Sequence, residues 1–105
     1  ALENHIQQFY EAAEYELPTG DTWNDQAISA IYDLKESARI YNDAVDQYDH
    51  NFKESLWELF YLEQQLNTVK EFSHSGRFSD DLMSDISWIE YYVQNLLRTY
   101  RNANY

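Results

Sequence analysis

Cysteine is absent from this chain, proline occurs once and glycine twice. The missing cysteines exclude a disulfide framework, a thiolate metal site and a cysteine nucleophile. The shortage of chain breakers excludes a turn-rich all-β architecture and points to helices. Positive charge is also scarce, with seven lysines and arginines against nineteen acids and a net charge of −12. Such a surface repels phosphates and anionic headgroups, so direct nucleic-acid or membrane-surface binding is not expected. No apolar run approaches the ~20 residues of a membrane span, and no signal-peptide pattern is legible. The reading therefore leans towards a soluble cytoplasmic protein, with the compartment otherwise unfixed. Neither a glycine-rich phosphate loop, a Ser-His-Asp arrangement nor a nucleophile elbow can be read, so no enzyme is expected.

What is present is apolar and aromatic. Residues able to form a core make up 44% of the chain, aromatic residues 17%, and ten of the 105 residues are tyrosine. Disordered chains lack such aromatic content, so residues 1–105 are expected to fold as a single helical domain.

Two breaks divide the chain. In the first segment Leu2, Ile6, Phe9, Ala13 and Leu17 recur at three or four residues, the period of one helix face, until Pro18-Thr19-Gly20-Asp21 turns the chain. In the second, Thr22 with Asp25 resembles a capping box. Its seam runs through Ile31, Leu34, Ala38, Tyr41, Val45, Tyr48, Phe52, Leu59, Leu62, Leu66 and Val69, with Ser55 the one polar interruption. These are coiled-coil-like steps of three and four. After the turn at Ser75-Gly76-Arg77-Phe78, Ser79 is the expected N-cap of a last helix. Its stripe is Leu82, Ile86, Ile89, Val93, Leu96 and Tyr100.

Two architectures satisfy this pattern. A break near the polar stretch Tyr48-Asp49-His50-Asn51, with Asn51 and Glu54 opening a new helix, gives an up-down four-helix bundle. Without it, residues 22–74 form one helix about 75 Å long. That three-helix arrangement must dimerise, because Leu56, Trp57, Leu59, Phe60, Tyr61 and Leu62 wrap most of the helix circumference and need cover.

Candidate metal chemistry is sparse. Glu71-Phe72-Ser73-His74 has the Glu-x-x-His spacing of di-iron bundles, but such sites need two copies and further glutamates. Asp46, Asp49 and His50 cluster, yet a calcium site needs six or more oxygens. His5 or Met83 as an axial haem ligand finds no histidine near the C-terminus to complete a pair. A metal- or haem-binding bundle is therefore the third reading, and no metal or cofactor is expected.

The acids and tyrosines carry more. Asp33, Glu36, Asp43, Asp46 and Asp49 line the second segment with only Lys35 and Arg39 beside them. Tyr41, Tyr48 and Tyr100 fall on the apolar seams. Tyr10, Tyr15, Tyr32, Tyr61, Tyr91, Tyr92 and Tyr105 do not all fit one stripe, so some must face solvent beside acids. Tyrosine gives large contact area at low entropy cost, and rows of carboxylates can imitate rows of phosphates. In charge and size the chain resembles small acidic antagonists: phage antirestriction and anti-CRISPR proteins, and nuclease-toxin immunity proteins. No motif assigns it to any of these. The leading expectation is a non-enzymatic acidic binding protein that docks on a basic surface of a nucleic-acid-binding protein or nuclease, as an inhibitor, nucleic-acid mimic or immunity-type antagonist. Its contact residues would be Asp33, Glu36, Asp43, Asp46, Asp49, Tyr10, Tyr15, Tyr32 and Tyr91. The alternative is a structural assembly module that dimerises through the second-segment seam, its charge serving solubility.

Overall fold

The computed structural model describes residues 2–47 and 55–103. Four helices follow one another: α1 (Leu2–Glu16), α2 (Thr22–Gln47), α3 (Leu56–Ser73) and α4 (Asp80–Ala103). α1 packs against α2 and α4, and α3 against the same two, which closes a four-helix bundle. Because α2 and α3 lie side by side, the single helix over 22–74 does not form. The longest dimension of the molecule is 45 Å, well short of the ~75 Å such a helix would need. The requirement for a dimer that rested on that helix falls with it. Tyr48, Asp49, His50 and Asn51, where the break was expected, lie outside the described residues.

The helix ends are fixed by local chemistry. Leu82 N–H donates to Ser79 Oγ at 3.2 Å, so Ser79 caps α4 as expected. At α2 the cap is Asp21 rather than Thr22. Asn24 N–H donates to Asp21 Oδ1 at 3.2 Å, which satisfies one of the amides a helix start leaves open. That bond, with help from Arg77, holds the Asp21 carboxyl below its ordinary range. Asp25 instead reaches back to accept from Gly20 N–H at 3.4 Å. Gly20 and Gly76 adopt φ of +96° and +81°, the left-handed region where a side chain would be strained.

One side chain per turn from each helix fills the interior. Ile6, Phe9, Ile31, Leu34, Leu59, Leu62, Leu66, Val69, Leu82, Ile89 and Val93 are fully or almost fully buried. The α4 stripe shifts by one residue near its end. Leu97 is buried with Tyr100, while Leu96 is only partly covered. Ser55, read as an interruption of the seam, is buried too. It hydrogen-bonds the Tyr100 hydroxyl, which also meets the Tyr41 hydroxyl at 3.2 Å. Burial raises the Tyr41 phenol well above its usual range.

The belt around α3 is not covered. Leu59 and Leu62 are interior, but Trp57 is 78% exposed and Phe60 and Tyr61 are about half exposed. A four-helix bundle closes over one face of each helix, and apolar residues on the opposite face stay outside.

Candidate docking surface

α1 and α2 bring part of the expected contact set together. The Tyr10 and Tyr32 rings meet edge to face at 5.8 Å. The Lys35 ammonium sits 5.4 Å and 4.9 Å from their ring centres. A hydrogen bond to Glu14, added to burial, raises the Tyr10 phenol. Lys35 also pairs with Glu36 at 3.7 Å, and Arg39 reaches Glu36 at 3.4 Å and Asp43 at 3.1 Å. Two expected carboxylates are thus held by cations of their own helix, and the two tyrosines lie under one of those same cations, Lys35. Asp33 and Asp46 are exposed and form no ion pair among the described residues. At ~100° per residue Asp33 and Asp46 stand about 140° apart around α2, so the four do not make one row. Asp49 lies outside the described residues. Tyr91 is on α4, remote from this face, and Tyr15 stands alone at the C-terminal end of α1, 92% exposed.

Tyr15 belongs to a different grouping, at one end of the bundle. The turns 17–21 and 74–79 are neighbours there. Arg77 pairs with Asp21 at 3.3 Å and lies 4.7 Å over the Trp23 ring, which in turn packs edge-on against Phe72 and Phe78. Glu14 and Glu16 of α1, Asp21 and Asp25 at the start of α2, and Asp80 and Asp81 at the start of α4 converge on this end. Arg77, the local cation, is already engaged. The Asp85 carboxyl registers the crowding. Partial burial raises it first, and the charges of Asp81 and Glu16 push the same way, against the opposing pull of His5 at 3.6 Å.

Helix dipoles account for four of these six acids. Asp21, Asp25, Asp80 and Asp81 sit at helix N-termini, where the partial positive charge welcomes them. Glu14 and Glu16 do not. They occupy the C-terminal turn of α1, where an anion is disfavoured and where no basic residue stands. Glu14 has the Tyr10 hydroxyl as a partner, so Glu16, placed against the local field, is the carboxylate that folding does not explain.

A second feature escaped the sequence reading. Trp88, Tyr91 and Tyr92 project from α4 with 51%, 59% and 39% of their surface exposed. Their rings contact one another at 5.8–6.2 Å, and His5 of α1 lies 6.4 Å from both Trp88 and Tyr92. Ser84, Ser87, Trp88 and Tyr91 line a shallow depression of about 340 Å³. The signal that finds this patch is ring spacing of three and four on the face opposite the apolar stripe.

The Glu71 and His74 pair is exposed at the end of α3, where His74 serves as C-cap. His5 faces Asp85 and the α4 rings. Among the described residues no group of three or more histidine, aspartate or glutamate side chains is arranged to hold a metal ion. No described helix is long and apolar enough to cross a membrane. The chain matches no family model, no curated protein and no solved structure, so its own geometry carries the functional argument.

Proposed function

We propose that this is a non-enzymatic binding protein that docks its acidic end on a basic surface of another protein, as an inhibitor, nucleic-acid mimic or immunity-type antagonist. One observation carries the reading: Glu14, Glu16, Asp25, Asp80 and Asp81 lie at the same end of the bundle as the almost fully exposed Tyr15, with Arg77 already engaged internally. Dense carboxylates steer a basic partner into contact, and an exposed tyrosine gives the contact a rigid anchor. Partners whose own ligand is a row of phosphates suit such a surface best. Of the residues expected from sequence, Tyr15 is central here. Glu36 and Asp43 contribute less, because Arg39 already neutralises them.

The test is comparative capture from the source cell followed by mass spectrometry. Wild type is set against a variant with Glu14→Lys, Glu16→Lys and Asp80→Lys, and against a control with Asp33→Lys and Asp43→Lys. A basic protein retained by wild type and the control, released by added salt and lost by the end variant supports the reading. A captured set unchanged by the end variant contradicts it. The assembly reading draws on another observation, the exposed Trp57 and Phe60 pair of α3, whose rings meet at 6.1 Å. In that case loss of association follows Trp57→Glu, and charge reversal at the acidic end has little effect.

A further inference from the structure

The outward face of α4 carries a stripe that starts at Asp81 of the acidic end and runs along the helix away from it, on the side opposite the bundle interior. Asp81, Ser84, Trp88, Tyr91, Asn95 and Arg98 succeed one another at steps of three, four, three, four and three. That is the heptad spacing of a helix-pairing seam. All are exposed but the half-buried Asn95. The order is palindromic in chemistry. Two aromatic residues straddle the midpoint, a small polar residue follows on each side, and an acid closes one end while a base closes the other.

Cation accounting isolates the basic end. Lys35, Arg39, Lys70 and Arg77 each pair with a carboxylate of the chain itself. Among the described residues Arg98 and Arg101 form no ion pair, and Arg98 touches only the neutral Asn95, at 3.4 Å. Asp81 likewise has no cation within the chain among the described residues. An acid and a base therefore stand without an ion-pair partner among the described residues, at equal sequence distances from a cluster of exposed rings in mutual contact.

We propose that this stripe is the docking site for a second copy of the chain, with the two α4 helices antiparallel about a two-fold axis between Trp88 and Tyr91. A two-fold interface needs a surface complementary to itself, which this order supplies. In the antiparallel sense Arg98 meets Asp81 of the second copy twice over, Ser84 meets Asn95, and the rings interleave at the centre. The parallel sense would place acid on acid and base on base. Antiparallel pairing also separates the two acidic ends, which is the arrangement two chains of charge −12 need. The aromatic pair of α3 is a weaker choice, because it adjoins residues 48–54, outside the described part, and has no such charge pattern.

Sedimentation equilibrium over a wide concentration range tests this on the full chain, with circular dichroism as a control for folding. Wild type is expected to move from monomer to dimer as concentration rises. Tyr91→Glu should weaken the dimer by about 30-fold or more, the loss typical of a central anchor. Arg98→Asp should weaken it less. Asp81→Arg combined with Arg98→Asp should restore it, since the swapped stripe is again self-complementary. A monomer at every concentration overturns the proposal. So does a dimer indifferent to Tyr91→Glu, a charge swap that fails to rescue, or a dimer lost only through Trp57→Glu.

Discussion

Two aromatic groups on this bundle look alike in sequence and differ in structure. Tyr10 and Tyr32 meet across α1 and α2, and Lys35 lies over both. Trp88, Tyr91 and Tyr92 meet on α4 with similar ring separations, yet no cation of the chain lies over them among the described residues. The first group has found its partner within the molecule and contributes to folding. The second is ordered and uncovered, which makes it available to another surface. Exposure of aromatic residues is thus a poor guide to binding unless the internal partners have been counted. The same holds for acids: Glu36 and Asp43 are spoken for by Arg39, while Glu16 is not.

The sharpest way to break this comparison is to truncate neighbours on opposite faces of α4. Ile89→Ala removes a fully buried side chain and should cost about 2–5 kcal/mol in denaturant unfolding. Tyr91→Ala, two residues on, should stay within about 0.5 kcal/mol, because an exposed ring that meets only other exposed rings of its own helix holds little of the fold. A large loss at Tyr91 would mean that the α4 rings are structural. Next in size is Tyr100→Phe. It takes one hydrogen-bond partner from each of the buried Ser55 and Tyr41 hydroxyls and should cost about 1–3 kcal/mol. Lys35→Met should follow at about 0.5–1 kcal/mol by thermal unfolding, the value of a cation over exposed rings. No change there would remove the distinction between the two aromatic groups.

The smallest of these effects lies at Asp85 and depends on pH. Its carboxyl is raised above the ordinary value, so the folded protein holds that proton more tightly than the unfolded chain. The stability this provides is present while the group is protonated. It is lost as pH rises through the folded pKa. Asp85→Asn should therefore stabilise the bundle at neutral pH, with the gain shrinking in acid. A gain that grows on acidification would show that the His5 contact outweighs burial.

Much of the fold was legible because hydrophobic periodicity reports which face of a helix is buried. The turns at Pro18–Asp21 and Ser75–Phe78, the Ser79 cap and most interior positions followed from spacing and breakers alone. Periodicity is less informative where a seam drifts. Leu96 and Leu97 sit on either side of the interior edge of α4, and the bundle chose the second. It also cannot tell a residue that is apolar from one that is covered, which is why Trp57, Phe60 and Tyr61 were expected inside. The candidate surfaces were the least legible part. Glu14, Asp25 and Asp81 come together only when four helices fold back on one another, and no linear charge pattern announces it. The stripe on α4 stayed hidden because four of its six members are polar, so a search for apolar residues passes over it.

The account stands or falls on whether the acidic end was placed for binding rather than for folding. Glu16→Lys tests this most directly, with thermal melting and partner association followed on the same variant. The substitution puts a cation at the C-terminus of α1 and relieves the repulsion on Asp85, so the melting temperature should rise by a few degrees. Association with the captured basic partner should slow at low salt. A variant that gains stability and loses binding shows a carboxylate held there at the expense of the fold. A variant that melts lower, or binds as fast as wild type, contradicts the claim.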